Sequence, residues 1–224
     1  MFYTSTRNKN IKVTAAQAIA QGISEEGGLF VPCELPQFSL DKIASMVDMP
    51  YTQRAKTVLK DFLTDFSEEE LDYCVNGAYA AEKFSSSKIA PTVNVAGNKN
   101  ILELWHGPTC AFKDMALQLL PYLMTVSAKK TADGKTIVIL VATSGDTGKA
   151  ALEGFKDVDH TRILVFYPVD GVSPMQKLQM TTQEGENVSV CAINGNFDDA
   201  QSAVKAIFTN DDIKAQLAQK NMMF

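Results

Sequence analysis

Past residue 88 this chain alternates short apolar runs with stretches of helical periodicity, and that alternation limits its fold more than any other feature. Ile137–Ala142 is apolar throughout, and Arg162–Tyr167 and Asn187–Ile193 are largely so. Each is followed by a helical pattern: near Gly148–Phe155, from Ser173 with Pro174 at the first position, and over Phe197–Phe208. A strand that is apolar on both faces must be covered on both, and parallel neighbours need helical crossovers to connect them. The alternation predicts an α/β architecture with part of a doubly wound, mostly parallel sheet.

The first 88 residues read differently. After a short extended piece at 2–6, helices fit Thr14–Gly22, Ser39–Val47, Tyr51–Leu63 and Ser67–Ala81. Thr14 and Gln17 have the spacing of a capping box, and Ser67 precedes an acidic first turn, Glu68–Glu70. The polar stretch Phe84–Lys88 marks a boundary. We expect a mainly helical region over 1–88, a strand and a helix over 89–128, and a small α/β unit over 129–224. Within 89–128, Asn100–Leu104 reads as a strand and Phe112–Ala128 as one helix.

Composition excludes several classes. A formal charge of -5 argues against a nucleic-acid or anionic-membrane partner, since both select basic surfaces. The four cysteines are scattered with no Cys-x-x-Cys pair, and only two histidines could join them, so no metal site is expected. Scattered cysteines and the absence of a signal-peptide pattern point to a reducing cytoplasm. The longest apolar run is too short to span a bilayer.

Two segments carry residues suited to chemistry. In Leu104–Asp114 (Leu-Trp-His-Gly-Pro-Thr-Cys-Ala-Phe-Lys-Asp) a turn hands over to a helix, with Lys113 in its first turn. The positive end of a helix disfavours an ammonium group there, and a less protonated lysine is a better amine nucleophile for Schiff-base chemistry. On position alone, Lys113 is equally read as a surface lysine whose stem covers apolar neighbours. The second segment, Thr143-Ser144-Gly145-Asp146-Thr147-Gly148, lies at the carboxyl end of an apolar strand, where open α/β sheets bind ligands. Its glycines, hydroxyls and helix-start N–H groups form a candidate anion cradle. Taken alone it is also an ordinary strand-to-helix turn capped by Asp146 or Thr147. Gly195-Asn196-Phe197-Asp198 reads as such a turn with an acidic helix start, because Asp198 and Asp199 would repel a phosphate.

The lysine segment resembles the cofactor-lysine segment of the threonine synthases, pyridoxal-phosphate (PLP) enzymes of the tryptophan-synthase-β type. The Ser144–Gly148 loop follows it at the family's spacing. Tyr3-x-Ser5-Thr6-Arg7, Gly27–Pro32, Ser173–Thr182 and Gly195–Gln201 are similar to other segments of the same family, so the resemblance spans essentially the whole chain. It implies that Lys113 is the catalytic lysine carrying the cofactor, with Phe112 packing on the ring and Asp146 near the ring oxygen. Ser144, Gly145, Thr147 and Gly148 would bind the substrate carboxylate. The implied reaction converts O-phospho-L-homoserine and water to L-threonine and phosphate.

Members of that family are considerably longer, so the resemblance is to the amino-terminal half. The groups for the cofactor phosphate and pyridine nitrogen are expected outside this stretch. The implied expectations are a fragment without activity of its own and self-association through an incomplete sheet or exposed apolar face. Two alternatives remain at this point: a related phospholyase or dehydratase on the same scaffold, and a non-enzymatic short form that binds a metabolite or partner.

Overall fold

A computed structural model describes residues 1–224. Strand β1 (Tyr3–Ser5) pairs antiparallel with β2 (Phe30–Pro32), bracketing helix α1 (Ala15–Gln21). Thr14 caps α1 through the reciprocal capping box with Gln17 that the spacing predicts. Helices α2 (Leu40–Ser45), α3 (Tyr51–Phe62) and α4 (Glu68–Ala78) follow, with Ser67 and Glu70 forming a second capping box. Glu68 bridges Lys60 and Lys56, which ties α4 to α3.

Strands β3 (Thr92–Ala96) and β4 (Lys99–Leu102) form an antiparallel hairpin whose residues are all exposed. Only its second half was legible as a strand. The expected single helix over 112–128 is instead two: α5 (Asp114–Leu117) and α6 (Leu120–Thr131). The break has a covalent cause. Pro121 has no N–H to offer the carbonyl of Leu117 four residues back, and its ring disfavours continuing the helix there.

The main sheet contains β5 (Thr136–Ala142), β6 (Thr161–Pro168), β7 (Val188–Ile193) and β8 (Met222–Met223), all parallel in the order β7-β6-β5-β8. The crossovers are α7 (Asp146–Phe155), α8 (Pro174–Thr181), and α9 (Phe197–Phe208) with α10 (Asp211–Gln219). Ile163, Val165 and Tyr167 alternate along β6 and bury against Ala151, Leu152 and Phe155 of α7, together with Met180 of α8. The intervening Leu164 and Phe166 face the other side, where α9 packs on β5 and β6 and leaves them half-buried.

Helix α6 joins the helical region to the sheet. Its Met124 belongs to the sheet's core, whereas Leu123 and Val126 pack with Ala15, Ala16, Leu71 and Cys74. Truncating a fully buried side chain in either core, such as Leu71 or Phe155, is expected to cost about 2–5 kcal/mol. No helix is long and apolar enough to cross a membrane.

Candidate functional site

The lysine segment is built around one buried carboxylate. Asp114 is fully buried; its Oδ2 accepts the Thr109 N–H at 2.8 Å and its Oδ1 the Thr109 hydroxyl at 2.7 Å. Burial pushes the Asp114 carboxyl above the usual carboxylate range, and the two bonds from Thr109 offset part of that rise. Gly107 completes the clasp, because a Cβ there would come within 2.5 Å of Asp114. Thr109 is therefore a donor to Asp114, and α5 has no side-chain cap. His106 links this turn to its surroundings, with Nδ1 2.9 Å from Ser85 Oγ and Nε2 2.7 Å from Glu103 Oε2.

Lys113 stands at the N-cap of α5 with helical backbone angles. The helix that follows has four residues, so it supplies little of the macrodipole on which the sequence reading relied. What distinguishes Lys113 is its setting. The side chain is half-buried, forms no salt bridge, and its Nζ lies 4.7 Å from the ring centroid of Phe112, which is itself 58% exposed.

In the second segment the organising residue is Thr143, which the sequence reading passed over. It is buried, and its N–H extends the β5–β6 ladder by bonding the Phe166 carbonyl at 3.0 Å. Its Oγ1 accepts the N–H of Gly145 at 3.0 Å and of Gly148 at 2.9 Å. Thr143 thus takes over the capping role expected of Asp146 or Thr147; Asp146 is the first residue of α7 and Gly145 its N-cap.

The Gly145 and Gly148 N–H groups are consequently turned inward and engaged. Both glycines shape the loop instead: Gly145 has φ +146, where its Cβ would strike the Gln176 amide. At Gly148 a Cβ would lie 2.5 Å from Thr143 Cγ2 and 2.8 Å from Met180 Sδ. The exposed side chain of Ser144 and the half-buried one of Thr147 remain without protein partners, and the first-turn N–H groups of Asp146 and Thr147 are uncommitted.

Gln176 is a further residue of this loop that the sequence reading did not single out. Its Nε2 donates to Asp146 Oδ1 at 2.8 Å, while its Oε1 accepts the Ser173 N–H at 3.1 Å in the capping box of α8. The signal was its place two residues after Pro174, but the partner 30 positions away is visible only in the fold. The Gly195 turn is closed as expected: Asn196 and Asp199 cap α9 reciprocally.

The two segments lie on neighbouring elements. Helix α5 packs on α7, with the Leu117 carbonyl against Gly154. Asp114 in turn feels the charges of Glu153 and Lys149. Lys113 directly precedes α5, and the Ser144–Gly145 turn directly precedes α7.

Comparison with known proteins points to one family. Residues 2–79 match the model for the threonine synthase N terminus. Threonine synthase of Pseudomonas aeruginosa is 42% identical over 212 residues, covering 94% of this chain and 44% of that protein. The chain matches the amino-terminal half of the threonine synthases. Its fold is that of threonine synthase from Escherichia coli, with a TM-score of 0.86 and 34% identity over 100% of this chain and 49% of that one. The PLP-bound threonine synthase of Brucella melitensis superposes with a TM-score of 0.85 at 37% identity, over 97% of this chain and 46% of that one. The chain thus spans less than half the length of these relatives and corresponds to their amino-terminal part.

Proposed function

We propose that this chain supplies the lysine-bearing half of a threonine synthase, a PLP-dependent lyase that forms L-threonine and phosphate from O-phospho-L-homoserine and water. The observation that carries the reading is the unpaired amine of Lys113 beside an exposed aromatic ring, at the start of a helix that packs on α7, whose leading loop carries free hydroxyl and N–H donors.

The residues present fit the cofactor in part. Lys113 offers an amine without a competing carboxylate, and Phe112 an open face for a planar ring. Gly145 and Gly148 let the neighbouring loop pack closely on Gln176, Thr143 and Met180. PLP, when bound, supplies a pyridine ring that acts as an electron sink. Lys113 would hold it, and its Nζ, once released, would be the base that takes the proton from the substrate α carbon and returns protons later. Ser144 and Thr147, with the first-turn N–H groups of α7, grip the substrate carboxylate, while Thr143, Gly145 and Gly148 keep that loop in shape. Asp146, held by Gln176, would stand near the cofactor's ring oxygen.

The Gly195 turn is closed by its own caps and offers no free donors to the cofactor phosphate. Turnover therefore depends on residues that the longer relatives carry outside the matched stretch. The exposed Val95, Leu102, Trp105 and Phe112 support contact between that part, or a second copy, and this face. Four free cysteines support a reducing, cytoplasmic setting.

The test is product analysis with O-phospho-L-homoserine, using the chain and any longer form of the same protein. L-threonine formation that disappears in Lys113→Ala supports the assignment. Formation of 2-oxobutanoate in place of threonine would sink the substrate reading and favour a phospholyase.

A further inference from the structure

Against the lysine segment lies a cleft of about 450 Å³, lined by residues of α4, α6 and the end of α7, with Pro108 of the lysine turn among them. Its volume is in the range of small-molecule sites, roughly 300–1,000 Å³. Gln118, in the link between α5 and α6, lines it. This side chain is 3% exposed, and its Nε2 is a buried donor without an acceptor. An unsatisfied buried amide is costly, so the cleft has a built-in demand for an acceptor oxygen.

The remaining lining is charged in both senses. Lys83 reaches in from one wall, its Nζ 3.2 Å from Tyr122 Oη and 4.9 Å from the centre of that ring. Glu153, paired with Lys149 at 3.1 Å, and Asp159, which has no hydrogen-bond or ion-pair partner, stand on the α7 side together with Lys156 and Asp157. A simple anion would satisfy Gln118 and Lys83 but meet the carboxylates. A simple cation would do the reverse.

We propose that this cleft binds a small zwitterion of the α-amino-acid class. The carboxylate accepts from Gln118 Nε2 and Lys83, and the ammonium faces Glu153 and Asp159. The site is separate from Lys113, and the proposal does not rest on the role assigned to that residue. Because Gln118 belongs to the link between the lysine-bearing turn and α6, occupancy would brace that link.

The experiment is a titration of the folded chain by calorimetry and thermal shift, with glycine, L-alanine and L-serine as probes and acetate and ethylammonium as single-charge controls. The amino acids are expected to bind and raise Tm, and the two controls to do neither at equal concentration. Gln118→Leu should weaken binding about tenfold or more, whereas Lys113→Ala should leave it unchanged. Should Gln118→Leu fail to fold, Lys83→Met and Asp159→Asn carry the test with the same expected weakening. No response to any amino acid would show a merely water-filled cleft and overturn the proposal. An equal response to acetate, binding that survives the cleft variants, or binding lost in Lys113→Ala would overturn it as well.

Discussion

Asp114 grips Thr109 with both carboxylate oxygens, taking the backbone N–H at 2.8 Å and the hydroxyl at 2.7 Å, and so closes the turn that presents Lys113. A buried acceptor pair of this kind is expensive to remove. Asp114→Ala is expected to lower stability by about 2–4 kcal/mol, read from denaturant unfolding, with Asp114→Asn clearly milder.

The same residue sets a pH dependence. Burial raises the folded-state pKa of Asp114 above its unfolded value, with the Thr109 bonds as a smaller opposing effect. The folded state then binds the proton more readily than the unfolded chain. The contribution of Asp114 to stability is therefore greatest below the ordinary aspartate pKa and declines as pH rises through the elevated one. The Tm difference between wild type and Asp114→Asn, followed from acid to neutral pH, should shift in favour of the Asn variant as pH rises. A flat difference would contradict this.

Thr143 predicts a separable pair of effects in the second loop. Thr143→Val removes the acceptor of the Gly145 and Gly148 N–H groups and should cost about 2–4 kcal/mol, whereas Thr143→Ser should retain most of the stability. Gly145→Ala adds backbone strain at φ +146 and a collision with Gln176, for an expected loss of about 1–3 kcal/mol. Thermal unfolding of the three variants checks the ranking.

The cysteines should differ sharply in reactivity. Cys74 is fully buried in the helical core; burial first, then the nearby Glu70, pushes its thiol up to about 12. Cys33 and Cys110 are exposed. Alkylation of the native protein followed by peptide mass spectrometry should label Cys33 and Cys110 and spare Cys74 until the chain is unfolded.

What could be read in advance divides along physical lines. Local rules sufficed where a residue's partner lies within one helical turn, as in the Thr14–Gln17 box, and where burial on both faces leaves an unbroken apolar run, as in β5. They failed for β3, whose residues are all exposed and so lack the alternation of a half-buried strand, and for the two-residue β8, which is defined by its pairing with β5. The α5–α6 break was signalled by Pro121, yet apolar periodicity on both sides of the proline masked it. Thr143, Gln176 and Asp114 were missed as organising residues because their roles depend on direction: a hydroxyl turned inward, an amide reaching across to Asp146, a carboxylate buried under Gly107.

The account rests on Lys113 being the residue that meets the cofactor, and reductive trapping tests this most directly. The protein is incubated with PLP, reduced with borohydride, digested and mapped by mass spectrometry. The account predicts that the added cofactor mass concentrates on the peptide containing Lys113 and falls to background in Lys113→Ala. Labelling spread over the lysines according to their solvent exposure, with Lys113 no more modified than the rest, would contradict it.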